Sequence, residues 1–199
     1  MFPARTALVV SAVLIVLTGC SSAPDTAVPS SATGPATGAG TPPPRSPKAV
    51  GRPGTPVGIS IPSIGVRSSL MELGLNADGT VEVPPPEKGM TAGWYTGGAT
   101  PGEAGAAVVI GHNDTRFGKA VFHDLKKITK GAGITVRDSR GESARFTVTG
   151  TESVSKDTFP TDKVYGDTKD HALRLITCDG DFDAQGHPVN NLIVYATLD

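Results

Sequence analysis

From residue 57 to the C-terminus the chain is a succession of short apolar or alternating runs, each closed after a few residues by Gly, Pro, Asn or Asp. Short strands joined by turns require this pattern. Residues 57–62 (VGISIP) alternate Val57, Ile59 and Ile61 and stop at a proline. Residues 68–73 follow, then an NADG turn at 76–79 and a short strand over 80–83 closed by Pro84, Pro85 and Pro86. The apolar run 106–110 reads as a buried strand ending on Gly111. Residues 134–136 and 145–149 form a hairpin across SRGES, and a strand-like stretch continues to Val154. In residues 172–182 (ALRLITCDGDF), Leu173, Leu175 and Thr177 alternate with Arg174, Ile176 and Cys178 before a turn rich in Asp and Gly. Residues 192–198 supply a last β-rich run. The glycine-rich stretch 89–105 reads as a loop whose Trp94 and Tyr95 pack inward. The spacing of Val121, Phe122, Leu125 and Ile128 predicts a short helix, and residues 159–166 a short helix or loop near the site. Together these predict a mostly β fold: a closed, mostly antiparallel eight-stranded β-barrel with one or two short helices, closure removing exposed edges.

With 199 residues, 38% of them hydrophobic, the chain holds one domain with a genuine core plus tails. A formal net charge of -1 gives no electrostatic footprint for nucleic acid, so no nucleic-acid partner is expected. The two cysteines have unlike contexts, which argues against a disulfide between them. Cys20 follows Arg5, an apolar run over residues 7–17 and the tetrapeptide LTGC. That tetrapeptide looks like a bacterial lipobox, making residues 1–20 a lipoprotein-type signal peptide and Cys20 the lipidated N-terminus, with an ordinary secretory signal or an uncleaved anchor as the alternatives. The apolar run is shorter than the roughly 20 residues of a membrane-spanning helix. Residues 21–56 are a linker of Ser, Thr, Ala, Gly and Pro that cannot bury enough surface to fold. As a coil it spans roughly 30 Å, and in polyproline geometry roughly 110 Å. The folded domain is then residues 57–199, on the outer face of the cell membrane and held there by the lipid.

Lipidation consumes one thiol and leaves Cys178 as an odd cysteine in a disulfide-permissive compartment, where chemistry explains it better than a bridge. A buried, inert thiol is the competing reading, but a packed core strand rarely runs directly into Asp-Gly. An unperturbed thiol is only a few per cent thiolate near neutral pH and needs an imidazole or a cation beside it. Of His112, His123, His171 and His187, only His112 sits at the end of an apolar strand, at the edge corresponding to Cys178. His187, in the loop after Cys178, is the competitor. Asp114 could orient His112 or simply make the turn.

The blocks IPSIGV (61–66), GWY (93–95), PGEAGAAVVIGHND (101–114), AVFHDL (120–125) and LRLITCDGDFD (173–183) resemble those of the sortases, and among them the actinobacterial class F type. The resemblance covers residues 57–198. It implies a closed barrel and a cysteine transpeptidase in which Cys178 attacks the Thr carbonyl of an LPxTG-like sorting motif and His112 moves the proton. It also implies two partners: the C-terminal sorting-signal peptide of a secreted protein and the amine acceptor of a peptidoglycan precursor. No cofactor and no metal is implied.

One position departs from the family. Sortases place an Arg shortly before the last strand to hold the substrate and stabilise the oxyanion, and residues 189–191 here are Val, Asn, Asn. Asn190 or Asn191 then stands in for it, with Arg116 or Arg174 as substitutes. The loop DGDFD opens like a calcium loop but has Ala184 at the turn glycine and Asn190 at the closing Glu. Thiol-redox, serine-hydrolase, P-loop and zinc-protease motifs are absent from the sequence. The alternative from another class is a non-catalytic or weakly hydrolytic peptide- or wall-binding lipoprotein that keeps the barrel.

Overall fold

The computed structural model describes residues 53–186 and 188–199. Cys20, the signal peptide, most of the linker and His187 lie outside them. Among the described residues there are ten strands: β1 (Pro56–Ile61), β2 (Val66–Leu73), β3 (Ala92–Tyr95), β4 (Gly105–Ile110), β5 (Asp114–Thr115), β6 (Gly118–Lys119), β7 (Gly133–Asp138), β8 (Ser143–Ser155), β9 (His171–Phe182) and β10 (Pro188–Leu198). Eight of them close into a barrel in the order β1-β2-β3-β4-β9-β10-β8-β7, and β5 and β6 form a separate hairpin beside it. One helical turn and a half, α1 (Thr161–Tyr165), and four 3-10 turns complete the described residues.

Alternation along each strand builds two apolar layers. Ile59, Val109, Leu173, Leu175, Leu192 and Val194 point inward and fill the barrel together with Phe122 and Phe146. Phe122 and Phe146 are both 0% exposed, and burial of such a side chain contributes roughly 1.5–3 kcal/mol. Val108, Ile110, Ile176 and Ile193 point outward, but they too are covered, by Leu73 and by Val164 of α1. β4 and β9 are therefore buried on both faces.

The eight-stranded closure agrees with the sequence, whereas several local expectations need correction. Residues 89–105 are not wholly loop, because β3 lies within them as a barrel strand. Its glycine is a packing requirement: a Cβ on Gly93 would collide with the side chain of Leu73 on β2. Residues 80–83 make one isolated bridge, Leu75 to Val81, rather than a strand. Residues 121–128 contain a single 3-10 turn, Leu125–Lys127, in place of a helix. The backbone bonds from His123 to Ala120, Leu125 to Phe122 and Ile128 to Leu125 each reach back three residues, so the segment is a run of tight turns. The barrel also holds two parallel ladders, β2 with β3 and β4 with β9.

The chain enters the barrel under a clamp. Gly54 donates its N–H to Asp138 Oδ2 at 2.7 Å, and Ser139 donates to the carbonyl of Thr55 at 2.8 Å. Desolvation opposes ionisation of Asp138, but the N–H groups of Gly54, Glu142 and Arg140 outweigh it and hold the carboxyl below its ordinary pKa. Pro53, Gly54 and Pro56 share a cavity of about 780 Å³ with Gly102 and Leu198. The carbonyl of Gly102 is hydrogen-bonded to His171 Nδ1 at 2.9 Å, at the first residue of β9.

Candidate active site

Two adjacent parallel strands carry the two candidate groups. In β4 and β9, Ala106 pairs with Ala172 and Ile110 with Ile176, so parallel strands with this register bring His112 and Cys178 out at the same level. Adjacent strands lie roughly 4.8 Å apart. The last backbone rung between them is Gly111 N–H to the carbonyl of Ile176, at 3.1 Å. Gly111 is needed there because a Cβ would stand 2.5 Å from Phe122 Cδ2 and 2.7 Å from Val121 Cγ1. The residues that look helical in sequence are thus the floor beneath His112.

Cys178 does not sit where strand becomes loop. β9 continues to Phe182, and Cys178 lies within it, half-buried and free. On its other side Asn191 of β10 is its direct partner, while Asn190 pairs with Asp179. Because the carbonyls of Ile176 and Cys178 both point toward β4, Cys178 and Asn191 form a non-hydrogen-bonded pair with Cα atoms about 4.5 Å apart and neighbouring side chains. Asn190 belongs to the opposite face with Asp179, whose Oδ2 accepts from Ser153 Oγ at 2.8 Å. The structure therefore separates the two asparagines, and Asn191 is the one beside the thiol. Val189 lies in the register shift that opens β10 and is 38% exposed.

His112 is oriented by a group that sequence does not flag. Its Nε2 is hydrogen-bonded to the carbonyl of Pro84 at 2.6 Å. A carbonyl only accepts, so Nε2 carries the proton and Nδ1 is the nitrogen left to exchange one. Asp114 does not orient it: Asp114 Oδ1 pairs with His123 Nδ1 at 3.1 Å. The imidazole and the thiol make no direct hydrogen bond among the described residues. Asn113 reaches across instead, donating from Nδ2 to the carbonyl of Cys178 at 3.3 Å.

Neither arginine considered as a substitute is beside Cys178. Arg116 forms an ion pair with Glu87 at 2.6 Å and lies over the ring of Phe117. Arg174 shares the outward face of β9 with Cys178 but four residues earlier, roughly 13 Å along the strand, with its guanidinium 4.9 Å from the ring centroid of Tyr195. Burial pushes the Arg174 pKa down despite the nearby Tyr195 and Asp170. Tyr195 in turn donates to Glu152, which is paired with Lys163 of α1. Among the described residues, no three His, Cys, Asp or Glu side chains converge as a metal site would require.

A family model described as the sortase domain matches residues 59–199. Sortase A from Corynebacterium diphtheriae superposes with a TM-score of 0.58 at 19% identity, over 75% of this chain and 63% of that one. Sortase C-1 from Actinomyces oris gives 0.57 at 22% identity over 72% and 73%, and sortase C1 from Streptococcus agalactiae gives 0.57 at 20% over 72% and 66%. No curated protein sequence matches the chain significantly. These structures share the fold, and the match of the domain model over residues 59–199, a span that holds Cys178 and His112, shows that the chain belongs to the sortase family of cysteine transpeptidases.

Proposed function

We propose that the chain is a transpeptidase of the class F type that cleaves an LPxTG-like sorting motif between Thr and Gly and passes the acyl group to an amine of a peptidoglycan precursor. In this reading it acts at the outer face of the membrane, anchored by lipid on Cys20. The observation that carries the proposal is the β4–β9 register, which brings His112 level with Cys178 while β10 pairs Asn191 with Cys178 on its other edge.

The Cys178 thiol gives its proton to Nδ1 of His112 as Sγ attacks the Thr carbonyl carbon, and the oxyanion that forms is met by the side-chain amide of Asn191. The C–N bond to Gly then breaks, and His112 gives the departing amine its proton from Nδ1, leaving a thioester on Cys178. In the second half, the acceptor amine loses its proton to His112 and attacks the thioester carbonyl. A new amide forms as the C–S bond breaks, and the departing sulfur takes the proton back from His112 Nδ1. The neutral amide at residue 191, with both candidate arginines engaged elsewhere, favours a second reading: a weakly hydrolytic or purely peptide-binding protein on the same barrel.

The test uses the full-length chain in detergent with a sorting peptide, with and without an amine, followed by mass spectrometry. A mass adduct on Cys178 and an amine-dependent ligation product are expected from wild type, and neither from Cys178→Ala. Equal turnover by the two proteins removes the proposal, and water as the only acceptor supports the hydrolytic reading.

A further inference from the structure

The parallel ladder that aligns the two candidate groups stops one residue short of them. Its last rung is Gly111 N–H to the carbonyl of Ile176, and two residues further the carbonyl of Cys178 points the same way. No main-chain donor of the 111–114 segment takes it. The side chain of Asn113 does, at 3.3 Å, supplying by an amide what the backbone no longer supplies.

The segment carrying Asn113 is itself fixed from the other side. Phe122 donates to the carbonyl of His112 at 2.9 Å and Ala120 to that of Asn113 at 3.0 Å. His112 is also tethered through its ring to Pro84. Among the described residues, Asn113 is thus the side chain that joins the held histidine segment to the cysteine residue itself. It does so at a cost, since its Oδ1 is buried with no hydrogen-bond partner. An unmet buried acceptor weakens a fold, so the amide is not explained by stability alone.

We propose that Asn113 is a positioning residue, whose bond to the Cys178 carbonyl sets the spacing between the Cys178 thiol and the His112 ring. This rests on the catalytic reading of those two residues. The tie acts on the backbone of Cys178 and touches neither substrate nor reacting atoms. Asparagine suits the place because it brings a neutral donor. Aspartate of the same shape, ionised, brings only acceptors and a negative charge.

The test compares the full-length chain with Asn113→Ala and Asn113→Asp. Three quantities are read: kcat and KM with a sorting peptide, the melting temperature, and the pH dependence of iodoacetamide labelling followed on the Cys178 peptide by mass spectrometry. Both variants are expected to lose about tenfold or more in kcat with KM changed less than about twofold, as for a displaced reacting group. Their labelling profiles move to higher pH than that of wild type. The near-isosteric aspartate keeps the test open should the alanine variant fold poorly. Labelling profiles that coincide with wild type in both variants overturn the proposal, as does a loss of turnover that only follows the fraction unfolded. If wild type forms no acyl adduct, the transpeptidase reading fails, while the labelling shift still reports on the tie.

Discussion

At residue 191 the chain presents a neutral amide directly across from Cys178, the group that the proposed mechanism sets against the developing oxyanion. Removal of one oxyanion donor costs on the order of 10² to 10³ in rate, and charge-assisted bonds are roughly twice as strong as neutral ones. Asn191→Ala is therefore expected to lower kcat for sorting-peptide cleavage by at least about tenfold, and Asn191→Arg to raise it above wild type. Steady-state cleavage of a quenched fluorescent peptide measures both, and an unchanged rate in both variants removes Asn191 from the site. The strands that carry the two candidate groups were legible in the sequence because each has an unmistakable pattern, with Cys178 within β9 and His112 just beyond β4. Their supports were not. The carbonyl of Pro84 and the amide of Asn113 reach partners 28 and 65 positions away, and nothing local in either stretch announces the contact. The choice between Asn190 and Asn191 needed the register of β10, which alternation alone leaves open.

Among the elements, α1 is held by aromatic contacts rather than by its own length. Tyr165 packs edge-on against Tyr95 with ring centroids 5.8 Å apart and lies 6.1 Å from Phe159. Burial, with the neighbouring Tyr95, pushes its hydroxyl up to about 12. A raised folded-state pKa contributes stability that is complete below the unfolded value, about 10, and is lost as pH rises through about 12. Alkaline titration at 295 nm is expected to show one lagging tyrosine, and Tyr165→Phe to flatten the fall in melting temperature over that window. An equally steep fall in the variant argues against the assignment. β3 escaped the sequence reading because glycine and strand propensity conflict. Gly93 is there for the close approach of Leu73, a tertiary cause with no sequence period. The helical spacing at residues 121–128 misled for a related reason. Val121 and Phe122 are buried because they form the floor under Gly111, and their N–H groups are donated to the carbonyls of Gly89 and His112.

Over the whole molecule, closure was readable from the number of short strands, but strand order was not. The β4–β9 pairing joins segments more than 60 positions apart, and the β1–β7 pairing that seals the barrel is similarly remote. Since β9 is bonded on both edges and buried on both faces, its amides between Leu173 and Ile176 are expected to exchange with deuterium last, and those of β5, β6 and residues 183–186 first. Exchange followed by mass spectrometry checks this, and rapid exchange in β9 contradicts the packing described. The point where the chain enters carries a mechanical meaning. Gly54 is fastened to Asp138 at the end of the barrel where β9 starts, and Cys178 is seven residues up that strand, roughly 23 Å away. Tension applied through the upstream polypeptide is borne first by the Asp138 fastening and the β1–β7 seam. Were the chain anchored upstream as proposed, the thiol rim at the far end would stay unloaded and the domain could be tugged without being pulled out of working shape.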